Sequence, residues 1–174
     1  GEDVHHLPRL LRYLETEFPK APAARAAVDM ALHDLLARRL DVPLTDMLGR
    51  CHKSLSTSIT LGLRSIEETL AEAKEKVGKG FSVLKVKLGQ DLEFDLELLQ
   101  RLRAELPQEI LLRVDPNQGY DLQALQALLA KLYELRLEFV EQPIPVSETE
   151  QLQSLPLEQR QQLVLDESLQ SPQD

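Results

Sequence analysis

Lys85 and Lys87 stand two positions apart in the apolar run VLKVKLG, residues 83–89. Strand side chains alternate between faces. Both lysines therefore share one face, while Leu84, Val86 and Leu88 share the other. Three later apolar runs each stop on a carboxylate: RVDPNQG at Asp115, VEQP at Glu141 and LDES at Asp166. The separations are 26 and 25 residues (141 − 115 and 166 − 141), one strand-plus-helix unit each. Parallel strands carry such residues to one common edge, where barrels and doubly wound sheets place their active sites.

Three carboxylates in register need a countercharge. Two like charges ~4 Å apart at an effective dielectric of ~20 repel by ~4 kcal/mol. Three such pairs would consume much of a typical stability of roughly 5–15 kcal/mol. A cation or protonation must relieve this, and three oxygen donors with room for water and substrate suit Mg²⁺. Singly, each acid also reads as a solvated group or a cap of the next helix. The lysines face the same side as Asp115. Two ammonium groups ~6 Å apart repel by ~3 kcal/mol, which favours release of one proton and a lysine able to act as a base. On an open sheet the pair instead reads as snorkelling surface lysines.

The elements that must position these residues follow from periodicity. Residues 7–18 and 23–40 read as helices, the second with Val28, Ala31, Leu32, Leu35 and Leu36 on one stripe. DVPLTDMLG adds a short helical turn that stops at Gly49. From residue 56 strands and helices alternate: STSITLGL, SVLKVKL, EILLRVD, LEFVEQP and QLVLDES are the strands. Ser65, Asp91 and Asp121 cap the intervening helices, and a weaker helix covers about residues 147–159. Another helix should begin at SLQSPQD. The alternation predicts an α/β fold, either part of a (β/α) TIM-type barrel or an open five-strand sheet. Residues 1–50 form a helical segment and residues 51–174 the strand-bearing part.

Composition narrows the function classes. The 174 residues carry a formal net charge of -9, which argues against nucleic acid and anionic membranes as partners. The 43% hydrophobic content suits a globular core. No apolar stretch is long enough to span a bilayer. Cys51 is the single cysteine, so no disulfide framework exists and a reducing cytoplasm is the default. Cys51 beside His52 lacks a positioned base, His5, His6 and His52 lack zinc-site spacing, and Gly78 and Gly80 precede a strand, the wrong place for a phosphate loop. Arg113 shares a face with Asp115 and reads as one half of a structural ion pair.

Together, K-x-K (Lys85, Lys87), D-x-N (Asp115, Asn117), E-Q-P (Glu141, Gln142, Pro143) and D-E-S (Asp166, Glu167, Ser168) resemble the enolase superfamily, in its muconate-lactonizing subgroup. The segment ARAAVDMALHDLLARRLDVPLTDMLG is similar to that family's helix leading into the barrel, with His33 where relatives carry a bulky aromatic. The resemblance implies five strands of a (β/α)₇β barrel preceded by helices of a capping domain. It implies Asp115, Glu141 and Asp166 as Mg²⁺ ligands, with Asn117 and Glu167 orienting them. Lys87 would be the base on one substrate face and Lys85 the group that neutralises the substrate carboxylate. The shared chemistry is removal of a proton α to a carboxylate. TSITLGL is similar to the first strand of dipeptide epimerases, with Thr60 touching substrate. An ordinary β-branched strand residue explains Thr60 equally well.

The resemblance leads to epimerisation of a dipeptide of the Ala-Glu type. N-acylamino-acid racemase and o-succinylbenzoate synthase or cycloisomerase chemistry stay open. So does a non-catalytic α/β module that binds metal or a partner. Relatives carry a second lysine on strand six and an acidic motif on strand eight, and neither lies in these residues. The chain therefore reads as an internal piece with little turnover of its own. Its unpaired first and fifth strands would be open to dimerisation.

Overall fold

The computed structural model describes residues 3–171. It divides into two compact units between Leu55 and Ser56. The helix expected at SLQSPQD falls partly on residues 172–174, outside the described residues.

The first unit is helical. α1 spans Leu7–Glu17, α2 Pro22–Arg39 and α3 Leu44–Met47. Proline opens α2 within its first turn, where no N–H is needed, and Arg38 and Arg39 complement the dipole in its last turn. The Asp3 carboxylate accepts from the His5 backbone N–H and from Arg39 Nη1, both at 3.1 Å. The apolar stripe of α2 is not buried as its periodicity suggests. Val28, Ala31 and Leu35 are exposed, and Ala37 is the buried residue of the helix. Three helices, one of them a single turn, offer no second layer wide enough to cover that face.

The second unit is a five-stranded sheet. β1 is Ile59–Leu61, β2 Val83–Lys87, β3 Leu111–Asp115, β4 Leu137–Glu141 and β5 Leu163–Val164. The spatial order is β1-β2-β3-β4-β5, with every pair parallel. A doubly wound sheet reverses its strand order at a switch point. This sheet never does, so it is part of a barrel.

α4 (Ile66–Gly78), α5 (Leu92–Glu105) and α6 (Leu122–Leu135) supply the core against one sheet face. Leu84, Val86, Leu112 and Val114 from the strands pack there with Leu99, Leu102, Leu125 and Leu128. The three expected caps form. Ser65 and Glu68 make a reciprocal capping box, Asp91 accepts from the Phe94 N–H, and Asp121 accepts from the Ala124 N–H. The weak helix at 147–159 becomes a 3₁₀ stretch, Val146–Ser154, and a single turn, α7 (Leu157–Arg160). Pro156 lies between them and cannot continue the first ladder. No helix among the described residues is long and apolar enough to cross a membrane.

Candidate active site

The two lysines of β2 emerge on the sheet face opposite the leucine core. Lys85 pairs in register with Thr60 on β1 and Arg113 on β3, and Lys87 with Asp115. Arg113 turns to Glu138, 2.7 Å away, and lies over the Phe139 ring, so it forms the structural ion pair its position suggested. β4 then shifts register between its pairings Leu112↔Leu137 and Val114↔Val140. That irregularity brings Glu141 out beside Asp115.

The cluster is tightly coupled. Lys85 Nζ lies 2.8 Å from Asp115 Oδ2 and 2.7 Å from Glu141 Oε1. Lys87 Nζ donates to Asp115 Oδ2 at 2.7 Å and to Asn117 Oδ1 at 2.5 Å. The Asn117 backbone N–H donates to Asp115 Oδ1 at 3.0 Å. Asp115 is 1% exposed. Its burial alone would push the carboxyl up, but the bonds from Lys85, Lys87 and the Asn117 N–H bring it below its ordinary value.

Mutual repulsion of the lysines does not decide the state of Lys85. Burial pulls its ammonium down, yet the hydrogen bonds and charges of Asp115 and Glu141 outweigh that and raise it above the ordinary lysine value. Lys85 is therefore held as a cation. Two carboxylates within 2.8 Å outweigh the burial that opposes the charge.

Asp166 stands differently from the other two acids. β5 pairs Val164, not Asp166, with Glu141. Asp166 therefore lies two residues, about 6.6 Å at parallel-strand rise, beyond their level. It is exposed, and among the described residues no set of three His, Cys, Asp or Glu side chains is gathered as a metal cage. Spacing along the chain placed the acids at one edge, whereas strand pairing sets their height. Glu167 next to it has Oε2 buried with no hydrogen-bond partner, an unusual state for a carboxylate oxygen.

The donors suit a hard divalent cation in kind. Asp115 and Glu141 already present oxygens to one positive point, the Lys85 Nζ. Asp166 follows two residues beyond the last pairing of β5, and Glu167 keeps an unsatisfied oxygen. Oxygen-only donors that leave room for water and substrate are what Mg²⁺ takes.

Two residues received no role from the sequence, Gln142 being named only within the E-Q-P motif. Gln142 is fully buried and hydrogen-bonded through both ends of its carboxamide. A polar residue followed by PIP, an apolar stretch, was the available signal. Asp95 on α5 is 1% exposed and accepts from Tyr120 Oη at 2.7 Å and the Gly89 N–H at 2.8 Å. Its place on the stripe of Leu98, Leu99 and Leu102 could have revealed it. Cys51 is exposed, and His5 and His33 pair with Asp3 and Asp29.

Comparison with known proteins agrees with this architecture. The family model "Enolase C-terminal domain-like" matches residues 68–174. The model "Mandelate racemase / muconate lactonizing enzyme, N-terminal domain" matches residues 1–49. The L-Lys-D/L-Arg epimerase of Methylococcus capsulatus is 52% identical across all of this chain and 49% of its own length. The L-Ala-D/L-Glu epimerase of Clostridium acetobutylicum is 33% identical across all of this chain and 49% of its own length. The crystal structure of the Methylococcus capsulatus dipeptide epimerase with Mg and the dipeptide L-Arg-D-Lys superposes with a TM-score of 0.94 at 52% identity, covering 97% of this chain and 48% of that one. This chain thus spans about half the length of the curated relatives it matches. It belongs to the mandelate racemase/muconate lactonizing enzyme branch of the enolase superfamily, with capping helices and five strands of the barrel.

Proposed function

We propose that these residues are the metal- and base-bearing half of a Mg²⁺-dependent dipeptide epimerase of the cytoplasm, which removes the proton α to a carboxylate. The observation that carries this reading is the pair Lys85 and Lys87 meeting Asp115 and Glu141 on one sheet face, in a chain half identical to an L-Lys-D/L-Arg epimerase. That relative favours a cationic dipeptide of the Lys-Arg type over the Ala-Glu type, whose 33% match is weaker.

In this reading Lys87, in its neutral form, accepts the α-proton at Nζ. Asp115 and Asn117 aim that nitrogen. Lys85 keeps its charge and faces the substrate carboxylate, with Thr60 beside it in register. Asp115, Glu141 and Asp166 would hold Mg²⁺, with Asn117 and Glu167 supporting them. The bound ion supplies the positive charge that stabilises a carboxylate as negative charge builds on it. Inversion needs a second base on the opposite face of the α-carbon.

A segment exchange tests the reading. Residues 1–174 replace the matching half of the Methylococcus capsulatus enzyme, and loss of the α-proton of Lys-Arg and Ala-Glu dipeptides is followed by NMR in D₂O. The expected result is Mg²⁺-dependent exchange that falls at least ~100-fold on Lys87→Ala. A folded chimera whose exchange survives that substitution would refute the assignment.

A further inference from the structure

Gln142 follows Glu141 at the mouth of the sheet, is 0% exposed, and holds a left-handed φ of +34°. A non-glycine residue in that region is strained and persists only where its surroundings fix it. Here they do so from every side. The Gln142 Oε1 accepts from the Asp166 N–H at 3.1 Å and the Ser168 N–H at 3.0 Å. Its Nε2 donates to the Ile144 carbonyl at 3.0 Å and to Ser168 Oγ at 2.8 Å. Ser168 Oγ in turn meets Thr149 Oγ1 at 2.7 Å. The Gln142 backbone N–H donates to Val164 O, and its carbonyl accepts from the Gln118 N–H, each at 2.8 Å. One side chain and its peptide groups thus tie together the segments that follow β3, β4 and β5, which adjoin Asp115 and Glu141 and carry Asp166.

β5 has only two paired residues, so strand pairing stops before Asp166. What fixes the Asp166 backbone relative to Glu141 is the Gln142 carboxamide. We infer that Gln142 is a positioning residue: it sets the height of Asp166 over Glu141 and Asp115, and thereby the affinity of the three carboxylates for a divalent cation. This rests on the metal site proposed above. Gln142 stays beneath the site, and every polar atom of its carboxamide is already engaged.

The test is Mg²⁺ affinity of the chain, measured from the rise of its melting midpoint with MgCl₂, together with amide exchange at Asp166 and Ser168. Gln142→Met keeps the length and removes all four side-chain bonds. Loss of a partner that orients ligands lowers metal affinity by ~10- to 100-fold, and the two amides should exchange faster. Leu128→Ala, a core truncation on α6, lowers stability but should leave both readouts unchanged. Should the methionine variant fail to fold, Ser168→Ala removes one Nε2 partner and should still weaken binding ~3- to 10-fold. Wild-type affinity in the folded variants overturns the inference while the metal site stands. A wild-type chain whose midpoint ignores MgCl₂ overturns the site, and the inference with it.

Discussion

Lys85→Met is the most informative single perturbation of the cluster. The substitution keeps the length of the side chain and removes its charge. Asp115 and Glu141 both touch the Lys85 Nζ, at 2.8 and 2.7 Å. Their oxygens are therefore no more than about 5.5 Å apart, and at an effective dielectric of ~20 they repel by ~3 kcal/mol once the ammonium is gone. Asp115 retains Lys87, whereas Glu141 loses its only ion-pair partner among the described residues. The Lys85 side chain is only 21% exposed, so water replaces it poorly. The expected loss is ~2–4 kcal/mol at pH 7, the range for breaking a partly buried pair.

The pH dependence has a fixed sign. The Lys85 ammonium is raised in the folded chain, so its contribution is complete below the ordinary lysine value and fades only as pH rises through the higher folded value. Acidification removes the carboxylate charges instead. The gap between wild type and variant should therefore close as pH falls through the carboxylate range, because the charges that Lys85 pairs are lost there, with Asp115 keeping its charge below its ordinary value. Urea unfolding of both proteins at pH 7, 5 and 3 measures this. A gap below ~1 kcal/mol at pH 7, or one that does not narrow with acid, refutes the assigned coupling.

Two further outcomes follow from the loops beneath the site. Gly89 has φ +98°, and a Cβ there would run into the Pro116 carbonyl; Gly89→Ala should cost ~2–5 kcal/mol in a urea melt through left-handed strain plus overpacking, and a loss below ~1 kcal/mol would mean that the two loops separate freely. Burial raises the Asp95 carboxyl above its ordinary value despite bonds from Tyr120 and Gly89, so its ionised form weakens the fold above the unfolded value. D95N keeps an acceptor for both donors, and its stability relative to wild type should be greatest at pH 7 and decline toward pH 3; a difference independent of pH would contradict the burial argument.

What was legible in the sequence was local. The alternation of Lys85 and Lys87 against Leu84, Val86 and Leu88 assigns faces, because a strand's period is two regardless of its neighbours. Ser65, Asp91 and Asp121 announce helices because a cap needs only the three residues after it. What was hidden depends on partners far along the chain. The level of Asp166 follows from the pairing of Glu141 with Val164 and from an irregularity in β4, and neither leaves a mark in LDES. The raised ammonium of Lys85 depends on a contact across 56 positions. The α2 stripe gives the right period for a helix but does not say whether anything covers it. Gln142 joins both kinds of information. Its position after Glu141 is local, yet its bonds reach Gln118, Val164, Asp166 and Ser168. Strand spacing delivers three acids to the same rim of the sheet. In the metal site proposed above, the bonds from the Gln142 carboxamide to the Asp166 and Ser168 N–H groups set the level of the third acid, so the buried amide would tune that site as much as the carboxylates do.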